Sequence, residues 1–118
     1  PTKDRYVLGA FHTGELVGTV TFMRESGIKM YHKGNIFGMY VKPEYRRMAI
    51  GKALLVELIE QAKQDEGLEQ INLAVVTDNL SAKKLYESLG FEVYGTERNA
   101  LKFEGNYYNE YLMVLKLY

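Results

Sequence analysis

Three cations crowd the start of a helix in the stretch KPEYRRMAIGKALLVEL, residues 42–58. Ile50, Leu54, Leu55, Leu58, Ile59 and Ala62 recur at the three- and four-residue spacing of one apolar helix face. Arg46, Arg47 and Lys52 therefore stand where the helix dipole is positive and where each cation is disfavoured by roughly 0.3–1 kcal/mol. No Ser, Thr, Asp or Asn is placed to cap the free amides. Ala49 is small and Gly51 permits close backbone approach, so amides and cations together describe a cradle for a phosphate or pyrophosphate, and the ligand caps the helix. An arginine pair alone is an ordinary solvated surface feature. Here the strand end, the Pro43 turn, the small residues and the missing cap all agree on an anion site. A Walker A loop would need Gly at position 46 and Ser or Thr after Lys52, where Arg46 and Ala53 stand, and the G-x-G-x-x-G turn of dinucleotide folds is absent.

The elements that must position this cradle follow from alternation and turn residues. RYVLGAFHTGELVGTVTFMRE reads as a hairpin around His12-Thr13-Gly14-Glu15. NIFGMYVKP is a mostly apolar strand ending at Pro43. The helix is expected from Ile50 to Glu66, with Gly67 just past its end. EQINLAVVT is a second buried strand. DNLSAKKLYESLG is a short helix capped by Asp78 or Asn79 and stopped by Gly90, with Ala82, Leu85, Tyr86 and Leu89 on one face. Two strands around Glu104-Gly105-Asn106 close the chain. The order β-β-β-α-β-α-β-β, over residues 1–118 as one domain, predicts a mixed α/β sheet. Residues 35–77 suffice for a right-handed crossover between parallel strands, whose carboxyl-end crevice is a preferred ligand site.

Composition narrows the chemistry. Fifteen basic and fifteen acidic residues cancel, which argues against nucleic acid or an anionic membrane as partner and makes any basic patch local. The chain has no Cys, which excludes thiol nucleophiles and Cys-based metal sites. No apolar run reaches membrane-spanning length, and a cytoplasmic location is the expectation. Pro1 is an odd first residue, so upstream sequence is expected to be missing.

Two motifs carry a family resemblance. Arg46-Arg47-Met48-Ala49-Ile50-Gly51 overlies the signature R/Q-x-x-G-x-G/A, after the strand end Met39-Tyr40-Val41, and Asn79, Ala82, Tyr86 and Leu89-Gly90-Phe91 overlie a second signature. In both, the chain resembles the GNAT acyl-CoA N-acyltransferases, and GMYVKPEYRR and ALKFEGNYYNEYLMVL look like a bacterial branch without an assigned substrate. Ala49 departs from the pattern by replacing its first glycine. The resemblance implies the acyl-CoA N-acyltransferase fold, a mostly antiparallel sheet with a splayed parallel central pair, here without the family's N-terminal elements. It also implies acetyl-CoA as cosubstrate, no metal, and transfer of its acetyl group to a primary amine of a small molecule, amino acid derivative or peptide. The pyrophosphate would lie on the amides from Arg47 to Lys52, and Met39, Tyr40 and Val41 would pair with the pantetheine arm, one amide polarising the thioester carbonyl. Asn79 and Ala82 would contact the arm.

Tyr86 is the expected acid for the departing CoA thiolate, although a phenol of pKa about 10 needs local help to protonate a thiolate whose conjugate acid is near 8.5. An isolated tyrosine at this position would read as a core aromatic. The base is open: ribosomal-protein acetyltransferases of this family carry a glutamate where this chain has Ala74, leaving Glu25, Glu110, His12, His32 or a water relay. Tyr107, Tyr108 and Tyr111 could line an acceptor pocket, pack a strand face or form a dimer seam. The exposed sheet edges make a homodimer plausible. The alternative function is a non-catalytic acyl-CoA-binding or regulatory module.

Overall fold

The computed structural model describes residues 4–46 and 49–118. Six strands, β1 (Arg5–His12), β2 (Glu15–Arg24), β3 (Lys33–Val41), β4 (Gln70–Val76), β5 (Glu92–Phe103) and β6 (Asn106–Lys116), form one sheet in the order β1-β2-β3-β4-β6-β5. Helix α1 (Ile50–Lys63) joins β3 to β4, and α2 (Leu80–Ser88) joins β4 to β5. All pairings are antiparallel except β3 with β4. Two hairpins turn through Thr13-Gly14 and Glu104-Gly105, each with positive φ at both residues, the twist that suits a two-residue connection between right-twisted strands.

Alternation along the strands sends one face to the core. Val20 and Phe22 of β2, Ile36 of β3, Ile71, Leu73 and Val75 of β4 and Met113 of β6 are buried against Leu54, Leu55, Leu58, Ile59 and Ala62 of α1 and Tyr86 of α2. Each fully buried Leu, Ile or Phe contributes about 1.5–3 kcal/mol. Both helices thus lie on the same side of the sheet, and the opposite side stays open around Met23, Phe37 and Ala74. Gly34 sits against Phe22 so closely that an added Cβ would lie 2.2 Å from its ring.

Helix α1 ends three residues earlier than its sequence pattern predicts. The amides of Gln64 and Asp65 turn back to the carbonyls of Gln61 and Ala62, tightening the last turn. Arg24 secures that end. Its guanidinium donates to the carbonyls of Glu66 (3.0 Å) and Tyr31 (2.6 Å) and stacks 3.5 Å from the Tyr31 ring centre. This is the one buried charged residue among the described ones, and its planar fork spends its donors on carbonyls that the helix and the β2–β3 loop leave free.

Candidate active site

The β3–β4 ladder sets the geometry of the site. Its register runs through Lys33↔Gln70, Gly34↔Ile71 and Asn35↔Asn72, and beyond that point the two strands part. Past Gly38, which has φ 54 beside a register shift against β2, the far end of β3 faces the start of α1. A cleft of about 580 Å³ opens there, lined by Met39, Tyr40, Val41, Arg46, Ala49, Gly51, Lys52, Asn79, Ser81, Ala82 and Leu85. Strand end, helix start and the first turn of α2 converge on one space.

The helix start is uncapped, as the sequence reading expects. After a single 3-10 turn at Pro43–Tyr45, Ala49 occupies the N-cap in left-handed backbone geometry (φ 58, ψ 25), with no side-chain cap and no acid in the first turn. Its carbonyl accepts from the amide of Ala53, so the amides of residues 50–52 lack intrahelical partners. Arg46 donates through Nε to the Val41 carbonyl at 3.1 Å, which ties the guanidinium to the strand end and leaves its terminal nitrogens for a ligand. Lys52 lines the same wall. Helix α2 is capped differently: Asn79 Oδ1 accepts from the Ala82 amide at 3.2 Å, so Asn79 and not Asp78 is the cap, and its amide nitrogen remains a donor at the cleft.

Of the residues singled out from the sequence, Met39, Tyr40, Val41, Arg46, Ala49, Gly51, Lys52, Asn79 and Ala82 line this cleft, joined by Ser81 and Leu85, which the motif comparison passes over. Ser81 is exposed and Leu85, one turn on, is half-buried against the core, an i, i+4 spacing the sequence does contain. Ile50 is half-buried against the core, and Arg47 and Met48 lie outside the described residues. Tyr86 is not on the cleft wall. It is 8% exposed, its ring meets Phe91 edge-on with centroids 5.9 Å apart, and burial pushes its phenol pKa up.

The candidate bases are dispersed. His12 packs on the Tyr45 ring, with centroids 5.3 Å apart, and Glu110 stands opposite Val76 in β6. The His32 carbonyl accepts from the amides of Glu69 and Gln70, while Glu25 accepts a 2.6 Å hydrogen bond from Asn35. The three hairpin tyrosines lie off this cleft: Lys83 of α2 is 5.2 Å from the Tyr111 ring centre, and Lys102 is 5.1 Å from that of Tyr107. Among the described residues no group of His, Asp or Glu is arranged to hold a metal, and no helix is long and apolar enough to cross a membrane.

Known proteins share this architecture. An acetyltransferase of the GNAT family from Streptococcus pneumoniae superposes with a TM-score of 0.91 at 28% identity, covering 98% of this chain and 68% of that one. A Salmonella typhimurium protein, yncA, solved with its cofactor acetyl-CoA, shares the fold with a TM-score of 0.87 at 24% identity, covering 95% of this chain and 64% of that one. An L-amino acid N-acetyltransferase, AaaT, of Escherichia coli (strain K12) is 30% identical over 100 residues, 85% of this chain. The chain spans only 61% of the length of that relative. Residues 1–91, including the cradle and the whole of α2, match the family described as acetyltransferase (GNAT). The chain belongs to the acetyltransferase (GNAT) family.

Proposed function

We propose that the protein is an N-acetyltransferase that binds acetyl-CoA in this cleft and passes its acetyl group to a primary amine by direct attack in a ternary complex. The observation that carries this reading is one space bounded by the end of β3 beyond its ladder with β4, by an uncapped helix start and by α2. The fit is chemical. Amides of residues 50–52 without intrahelical partners, Arg46 and Lys52 suit a pyrophosphate, and the edge of β3 at residues 39–41, which has no pairing with β4, suits an amide-bearing arm. Acetyl-CoA supplies an acyl group already activated as a thioester. The chain's own part is to hold that group still, to exclude competing orientations, and to offer a backbone amide of residues 39–41 to the carbonyl oxygen. Asn79 adds a donor from the opposite wall. In this reading the enzyme works in the bacterial cytoplasm, and a homodimer would form through the sheet's outer strands, β1 and β5.

Tyr86 is proposed as the acid. A raised pKa keeps its phenol protonated at neutral pH, which an acid requires, while making the proton harder to give up. Its place behind the wall favours the second reading, a module that binds acyl-CoA without transferring it. Isothermal titration with acetyl-CoA and with CoA, followed by CoA-thiol release against a panel of amines, separates the two. Binding with amine-dependent release supports the transferase, and binding without release supports the module. Tyr86→Phe is expected to lower turnover by about 10²-fold with CoA affinity unchanged.

A further inference from the structure

The open side of the sheet carries a carboxylate at the point where β3 and β4 part. Arg24 and Gly34 are opposite one another in the β2–β3 ladder and both are buried toward the helices, so alternation sends Glu25 and Asn35 to the other side. The Glu25 amide donates to the Lys33 carbonyl at 2.9 Å, which extends the ladder by one step and fixes the residue. Asn35 Nδ2 then donates to Glu25 Oε2 at 2.6 Å, a diagonal pair across the two strands. Asn35 is also the last residue of β3 registered with β4, opposite Asn72, whose Oδ1 accepts from Gln70 Nε2 at 3.1 Å.

Among the described residues no Lys, Arg or His forms an ion pair with Glu25. Lys33, across the strand, donates no side-chain bond to it, and Arg5 faces Met23 further along the same side. A half-buried carboxylate oriented by one amide, with no bond to its second oxygen among the described residues, complements a cation from outside the fold. Just past it, Phe37 on β3 and Ala74 on β4 flank the gap, with Leu112 beside Ala74. These are apolar and exposed or half-buried.

We propose that Glu25, held by Asn35, is the ammonium subsite of the acceptor, and that Phe37, Ala74 and Leu112 receive an apolar body attached to the same carbon. The role of this subsite rests on the transferase reading above: it lies where the β3–β4 ladder ends at Asn35 and Asn72, on the same strand that reaches the cleft at Met39. Glu25 selects for a primary ammonium, as in the amide of an apolar amino acid, and against a neutral molecule of the same shape. It is a specificity-determining residue, and proton removal is no part of the assignment.

Nuclear magnetic resonance titration with L-leucinamide tests it, with 4-methylpentanamide as the neutral control. At millimolar L-leucinamide the Asn35 side-chain amide and the Glu25 carboxyl carbon are expected to shift saturably, the neutral control is expected to shift neither, and Glu25→Gln is expected to weaken the response by roughly tenfold or more. The shape-conserving variant reports its own folding in the same spectrum. No saturable shift at Asn35, an equal response to the control, or an undiminished response in Glu25→Gln would overturn the subsite. A separate CoA titration read at the Gly51 and Lys52 amides tests the cleft. Amine response without CoA response would refute the transferase reading, and CoA response without amine response would refute the subsite alone.

Discussion

Left-handed backbone costs an L-residue about 1–2 kcal/mol, yet Ala49 adopts it at φ 58 to bring the chain from the Pro43 turn into α1. Glycine at that position would avoid the clash, while losing about 0.5–1 kcal/mol to its greater freedom in the unfolded chain. Ala49→Gly is therefore expected to stabilise the protein by about 0.5–1 kcal/mol, read as a higher urea midpoint with an unchanged slope. Tyr6 makes a different demand. It stacks on Phe22 with centroids 5.0 Å apart, its hydroxyl is buried without a hydrogen-bond partner, and burial, then the nearby Asp65 charge, push its pKa up to about 12. The unfolded chain releases this proton near pH 10 and the folded one near pH 12, so folding stability falls as pH rises through that window. Tyr6→Phe is expected to lessen the slope of stability against pH between those limits, measured by urea unfolding at each pH. A slope equal to that of the parent would show that the phenol does not titrate differently in the two states. The uncapped helix start was legible in the residues themselves, because cations and a missing cap conflict locally. The apolar face of α2 also told that Tyr86 meets the core, but a motif position did not reveal that this takes its ring off the cleft wall.

At the scale of elements, periodicity located the strands and helices because each has one committed face. It overran the end of α1, where the limit is imposed from β2 by the guanidinium of Arg24 on the Glu66 carbonyl, a contact 42 residues away in sequence. The Glu25–Asn35 pair was hidden for a related reason: it depends on the β2–β3 register, which a shift between Thr19 and Thr21 alters by one step. That same ladder is intolerant of added volume. An alanine methyl at Gly34 would meet the Phe22 ring at 2.2 and 2.5 Å, and Phe22 is fully buried with nowhere to turn. Gly34→Ala is expected to cost about 3 kcal/mol, seen as a lower urea midpoint, and paired Phe22→Leu substitution should recover part of it.

For the molecule as a whole, protection is unevenly distributed. Residues 110–116 of β6 pair with β4 and the Asn109 carbonyl accepts from the Thr77 amide, whereas residues 106–108 pair with β5 alone and form a two-stranded ribbon with exposed Leu101, Phe103 and Tyr107. Native-state hydrogen exchange is expected to show amides of residues 101–108 opening far more readily than those of Leu73 and Met113, and uniform protection would contradict this. The mixed topology was readable from element order and connection length, since a strand-helix-strand segment of this size admits a right-handed crossover. How briefly the parallel strands touch was not readable. That brevity bears on how the chain finds its shape. Strands β1–β3 are neighbours in sequence and in space, β5 and β6 form a hairpin that accepts β4, and among the described residues the ladder between the two groups is the three-residue seam at Lys33–Asn35 and Gln70–Asn72. Each group can form from local contacts, while the seam must wait for α1 to bring them together. The short seam beside the unpaired interval is thus also the last join to be made, and folding speed should respond to changes in the α1 core more than to changes in either hairpin turn.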